Sequence, residues 1–157
     1  MAVVRLLCDQ MLAGLARWLR AAGYDTVLAA AGDRPAALLA LCRAEGRALI
    51  SRNRRLAEAA PIGVRAVLLA DDDADSQALA LARTLGLDWT HAPFTRCLVD
   101  NAALRAMSAD ELAGIPERAR ALPGPFRACP SCGRLYWPGS HVRRMAAKLE
   151  RWGRCAA

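Results

Sequence analysis

Cys129-Pro130-Ser131-Cys132-Gly133 places two thiols three residues apart around a turn. Thiolates at that spacing can grip one zinc ion, and the glycine permits the tight backbone that follows. A closed tetrahedral site needs two further ligands. Cys97-Leu98-Val99-Asp100 repeats the spacing with a carboxylate in second place, and His91 and His141 are the spare candidates. The competing chemistry is a metal-free thiol pair or a redox motif. A thioredoxin-like pair opens a helix after a strand, which Pro130 and Gly133 in a proline-rich stretch do not suit. Cys8 and Cys42 lie inside apolar patterns and read as small core hydrophobes, while Cys155 sits in a frayed tail.

The second set of chemical candidates is acidic. Asp9 closes an apolar run and precedes a helical pattern. A carboxylate there suits a metal ion, and it equally suits a helix N-cap. Asp71-Asp72-Asp73 follows another apolar run and reads more readily as a solvated turn than as a metal cluster.

These groups belong to a chain of 157 residues with 55% hydrophobic and 5% aromatic side chains. That length fits one domain, or one domain with a small appendage. Ala, Leu and Val must build most of the core, and no disulfide is needed to hold it. No apolar run approaches the ~18 residues of a membrane span. Asp9 arrives too early for the apolar stretch of a signal peptide, so a cytoplasmic location is expected. The formal charge is +7. Residues 1–90 hold 11 basic and 10 acidic side chains, whereas residues 91–157 hold 11 and 5. A positive field concentrated in the C-terminal part is the footprint of a polyanion partner such as nucleic acid.

The elements that must position these residues alternate. Apolar runs at Val3–Cys8, Tyr24–Ala29, Ala48–Ser51 and Val64–Ala70 predict strands. Between and after them, helical periodicity runs from Leu12 through Leu15, Ala16 and Leu19 to Gly23, with Arg17 and Arg20 on the opposite side. It returns over residues 35–45, 53–60 and the Ala/Leu/Arg stretch ending at Gly86. Four β-then-α units predict a mostly parallel sheet covered by helices on both faces. Ligands of such sheets bind beyond the carboxyl ends of the strands, where Asp9, Asn53 and Asp71–Asp75 all fall. Beyond Leu87 the pattern breaks. Ser108-Ala109-Asp110-Glu111 forms a capping box for one short helix, prolines interrupt the chain, and a last helix spans about Ser140 to Trp152. This divides the chain into residues 1–90, an α/β domain, and residues 91–152, which carry the cysteine pair, short helices and a basic helix packed on the first part. In that helix Arg143, Arg144, Lys148 and Arg151 alternate with Val142, Met145, Leu149 and Trp152, so the four cations are expected to offer a stripe to phosphates.

Several blocks, in order, resemble the Mut-seven C-terminal RNase domain family. They are Cys8-Asp9-Gln10-Met11-Leu12, Leu15-Ala16-Arg17-Trp18-Leu19-Arg20, Gly23-Tyr24-Asp25-Thr26, Phe94–Asn101 and Cys129–His141. The resemblance covers about residues 3–150. It implies a three-layer α/β/α PIN-like fold with a C-terminal zinc ribbon, and metal-dependent cleavage of RNA with Mg²⁺ or Mn²⁺. By that resemblance Asp9 binds the catalytic ion, Asp33 assists, and Arg17 and Arg52 approach phosphate. Structural Zn²⁺ sits on Cys97, Cys129 and Cys132 with Asp100 where the family usually has a fourth Cys. The family's Thr-Arg-Asp after the third strand is Ser51-Arg52-Asn53 here. Its acidic position early in the second helix falls at Pro35 and Ala36. Asp9, Asp33 and Asp72, with the uncharged Asn53, are then left to hold one ion. A non-catalytic RNA-binding module of the same fold and a toxin-type PIN protein are the alternative expectations.

Overall fold

The structure, a computed structural model, describes residues 3–157, so Met1 and Ala2 of the expected 1–90 portion lie outside the described residues. The first half alternates as its apolar runs predict. It runs β1 (Arg5–Cys8), a 3₁₀ turn (Gln10–Leu12), α1 (Ala13–Ala21), β2 (Thr26–Leu28), α2 (Pro35–Glu45), β3 (Arg47–Ser51), α3 (Arg54–Glu58), β4 (Ala66–Leu68) and α4 (Ala74–Leu85). The four strands form one sheet in the order β2-β1-β3-β4, and every pairing is parallel. Strand residues alternate between faces. Leu6, Cys8, Ala48 and Ile50 pack with α1 and α4 on one side. Leu7 and Leu49 pack with Leu38 and Cys42 of α2 and Leu56 of α3 on the other. Both faces are therefore apolar, as a parallel sheet wrapped by its own crossovers requires. Burial pushes the Cys8 thiol up to about 12, which leaves it an inert core group.

The strands are shorter than the apolar runs. Tyr24 turns its N–H to Leu19 O and closes α1 instead of entering the sheet. Gly23 makes that corner with φ +99, and a Cβ there would stand 2.3 Å from the Ala92 carbonyl oxygen. Arg20 corrects the reading of α1. It is 7% exposed rather than on a solvent face, because its guanidinium donates to three backbone carbonyls: Thr26 at 3.0 Å, Leu98 at 3.2 Å and Val99 at 3.0 Å.

The second half contains β5 (Arg105–Ala106), α5 (Ala109–Gly114), α6 (Glu117–Arg120), β6 (Arg127–Ala128), β7 (Leu135–Tyr136) and α7 (Ser140–Ala156). The strands form a small antiparallel sheet, β5-β6-β7. The Ser108–Glu111 capping box opens α5 as its sequence predicts. α7 continues past Trp152, so Cys155 lies within a helix rather than in a frayed tail. Met145, Leu149 and Trp152 of α7 enter the same core as α1 and α4. Trp152 meets Trp18 and Trp89 edge-on, with ring centroids 5.0 and 4.8 Å away. No helix among the described residues is long and apolar enough to cross a membrane.

Candidate active site and metal centre

Strand order reverses at β1 and β3: the chain leaves β1 toward β2 and β3 toward β4. The crevice beyond the carboxyl ends of such a pair is where open parallel sheets bind ligands. Asp9 ends β1 there and is 7% exposed. Its Oδ1 accepts the Gln10 N–H at 2.8 Å and its Oδ2 accepts the Ser51 hydroxyl at 2.7 Å. Ser51 Oγ in turn accepts the Asn53 N–H at 2.9 Å. Asp9 thus caps the 3₁₀ turn and is also tied across to β3, so the two readings of its position coexist in one side chain. Ser51 is the residue that sequence reasoning missed. Its signal was available, since it keeps a hydroxyl at the strand end where the resembling family has Thr.

The other expected acidic positions, Asp33 and Asp72, form no metal-holding group of three with Asp9 among the described residues. Asp33 is exposed and folds back to accept the Ala30 N–H at 2.7 Å. Asn53 caps α3 through its amide oxygen, which accepts from Leu56 N at 3.4 Å. Asp72 is exposed, while its neighbour Asp73 caps α4. Arg52 is exposed beside Asn53. Arg17 instead donates to His141 Nε2 at 3.0 Å.

Cys97, Asp100, Cys129 and Cys132 bring their ligand atoms within 4.8 Å of one another, the sole such set of three or more Cys, His, Asp or Glu among the described residues. A tetrahedral zinc with Zn–S bonds of about 2.3 Å has sulfur–sulfur edges of about 3.8 Å and sulfur–oxygen edges of about 3.5 Å. Cys97 Sγ and Cys132 Sγ are 3.7 Å apart, and Cys129 Sγ lies 3.3 Å from Asp100 Oδ2. The donor set and its dimensions therefore fit a metal such as zinc. The β6–β7 hairpin supplies two thiols, with Gly133 at φ +73 completing the turn. The spare ligands are used elsewhere: His91 stacks on Tyr24, and His141 accepts from Arg17.

The surroundings prepare the centre. The Ala102 N–H holds the Asp100 carboxyl at about 2, burial opposing and the Cys129 thiol assisting. Tyr136 OH accepts from Leu98 N at 3.0 Å and stands 3.1 Å from Cys97 Sγ, fixing that sulfur from behind. Burial works against the Cys97 thiolate, but the Tyr136 hydroxyl and nearby N–H groups outweigh it, and the thiol is lowered.

Of the four cations expected on α7, two are engaged. Lys148 lies 3.5 Å and Arg151 3.2 Å from Asp75, and Lys148 Nζ stands over the Trp18 and Trp152 rings. Arg143 and Arg144 are exposed and form no ion pair among the described residues.

A four-stranded parallel sheet between helical layers, with a thiol-rich centre on an appended antiparallel sheet, is the layout of a PIN-like α/β/α fold joined to a zinc ribbon. The family follows from comparison: a model described as the Mut7-C RNAse domain matches residues 4–149, and the chain belongs to that family. The matched domain is a ribonuclease domain, which implies RNA as a substrate or partner. The curated proteins and the solved structures give no match to this chain.

Proposed function

We propose that this chain acts on RNA at the β1/β3 crevice as a ribonuclease, with Asp9 as the group on which hydrolysis depends. One observation carries the reading. Asp9 is a nearly buried carboxylate at the point where the strand order reverses, held in one orientation by the Gln10 N–H and the Ser51 hydroxyl. Arg52 stands next to this edge to meet a phosphate. Residues 1–90 present the crevice, and residues 91–152 form a ribbon and basic helix packed on them. Zn²⁺ on Cys97, Asp100, Cys129 and Cys132 would fasten the ribbon to its hairpin. Arg17, Arg143 and Arg144 would provide positive surface, and Lys148 and Arg151 would add to it where a phosphate takes them from Asp75.

Mg²⁺ or Mn²⁺ is the ion that several convergent carboxylates would hold for phosphodiester hydrolysis. The residues present do not fit that arrangement, since Asp9, Asp33 and Asp72 do not converge and Asn53 is uncharged. This same observation favours a second reading, a non-catalytic RNA-binding module that keeps the fold and the positive surface. The ribbon counts against a toxin-type PIN protein. Cleavage of a fluorescent RNA in Mn²⁺ decides between the first two. The ribonuclease reading expects cleavage by the natural chain and its loss in Asp9→Asn with the fold intact. Cleavage that survives Asp9→Asn would refute the assignment of Asp9, and no cleavage by the natural chain selects the binding module.

A further inference from the structure

Two cavities flank Trp137 where the β6–β7 hairpin meets α7, and Tyr136, Trp137 and Val142 line both. Neither includes Asp9, Ser51 or Asn53 in its wall. The larger, about 670 Å³, is bordered by Arg17, Arg134 and His141, with no Asp or Glu among its described lining residues. The smaller, about 330 Å³, is walled by Phe94, Pro125 and Trp137, with Arg127, Arg143 and Glu150 at its border. Together they place four guanidinium groups against one carboxylate along a groove whose shared wall is aromatic and apolar.

Neither Arg17 nor Arg134 has a carboxylate within ion-pair distance among the described residues, unlike two cations of α7. Lys148 and Arg151 face Asp75. Arg17 instead donates to His141 Nε2. A guanidinium only donates, so the His141 nitrogen takes the acceptor role in this contact. The contact orders the Arg17 side chain without opposing its charge. Arg134 is exposed and forms no ion pair among the described residues. The Trp137 indole is also accommodated by design of the chain: a Cβ at Gly139 would stand 3.0 Å from Trp137 Nε1. Cations beside a half-buried aromatic side chain that lines an open groove are what a single nucleic-acid strand needs, phosphates meeting the first and bases stacking on the second.

We propose that this groove is a binding track for single-stranded RNA, separate from the Asp9 crevice, in which Arg17 and Arg134 hold backbone phosphate and Trp137 takes a base. The proposal rests on the ribonuclease reading only in choosing RNA as the polyanion. It is tested by fluorescence anisotropy with a labelled 2′-O-methyl oligouridine, which resists hydrolysis and so separates binding from cleavage. An abasic strand of equal length is the second probe. Arg17→Gln with Arg134→Gln should weaken both probes about tenfold and flatten the salt dependence by about 0.7 log unit per lost phosphate contact. Trp137→Leu should weaken oligouridine about tenfold and leave the abasic strand unchanged. Zinc content and melting temperature of each variant establish that it is folded. Unchanged affinity and salt slope in the folded arginine variant would overturn the track, as would equal effects of Trp137→Leu on both probes. Binding with these signatures by a chain that cleaves no RNA leaves the track standing and removes only the ribonuclease reading.

Discussion

Asp9 and Asp100 each do with one carboxylate what their surroundings leave to them. At the crevice, Asn53 keeps an oxygen but spends it on the α3 cap and supplies no charge. Asn53→Asp should therefore raise the rate of Mn²⁺-dependent RNA cleavage, or lower the Mn²⁺ concentration at half-maximal rate. An unchanged Mn²⁺ titration would show that the missing charge is not what limits the site. At the ribbon, Asp100 brings an oxygen where the other three groups bring thiols, and an oxygen is a harder donor than zinc prefers. The purified protein should carry one zinc per chain by elemental analysis. Asp100→Cys should slow zinc release to a chelator and raise the melting temperature, because metal binding here is folding free energy for a segment with little core. Zinc absent from both proteins would sink the ribbon assignment; zinc restored only by Asp100→Cys would make the natural centre an empty one.

At the scale of the element, α7 shows how a helix can have both faces used. Its apolar stripe is docked by Trp152 between Trp18 and Trp89, and Trp152→Ala should cost about 3–5 kcal/mol, the range for emptying a buried indole site. Asp75 at the start of α4 accepts from the Trp152 indole N–H at 2.8 Å and pairs with Lys148 and Arg151. Asp75→Asn keeps an oxygen for the indole and removes only the charge. If Lys148 and Arg151 reach phosphate, that substitution should tighten RNA binding and steepen its salt dependence with little change in melting temperature. An identical salt slope would return these two side chains to holding α7 against α4.

Across the whole molecule, the two halves are joined by a polar network as well as by the core. Asn101 accepts the Thr26 N–H at 2.9 Å and donates to Asp25 at 2.7 Å, and Asp25 pairs with Arg47 at 2.8 Å. Burial of Asp25 favours its neutral form, but hydrogen bonds from Arg47 and Asn101 prevail and lower it below the usual carboxylate value. A depressed carboxylate stabilises the fold fully above its unfolded value near 3.9 and loses that contribution as pH falls through the folded value. Asp25→Asn should thus be less stable than the natural chain at pH 7, and the gap should close below about pH 4. A stability difference that is flat from pH 7 to pH 3, followed by urea unfolding, would remove Asp25 from this role.

Local pattern determined a good deal of this protein. Short continuous apolar runs located the four parallel strands, and 3.6-residue apolar spacing located their helices. The Ser108 capping box and the Cys129–Cys132 turn were equally legible, since each is written within a few consecutive residues. Cys97 and Asp100 were legible as partners only through spacing and family resemblance. Tertiary structure alone decided the rest, because the deciding contacts join residues far apart in the chain. It turned Arg20 inward, where carbonyls of Leu98 and Val99 wait for it. It set Ser51 against Asp9 and took Lys148 and Arg151 for Asp75. A helical wheel assigns a cation to solvent by default, and only the acceptors brought by another element can reverse that.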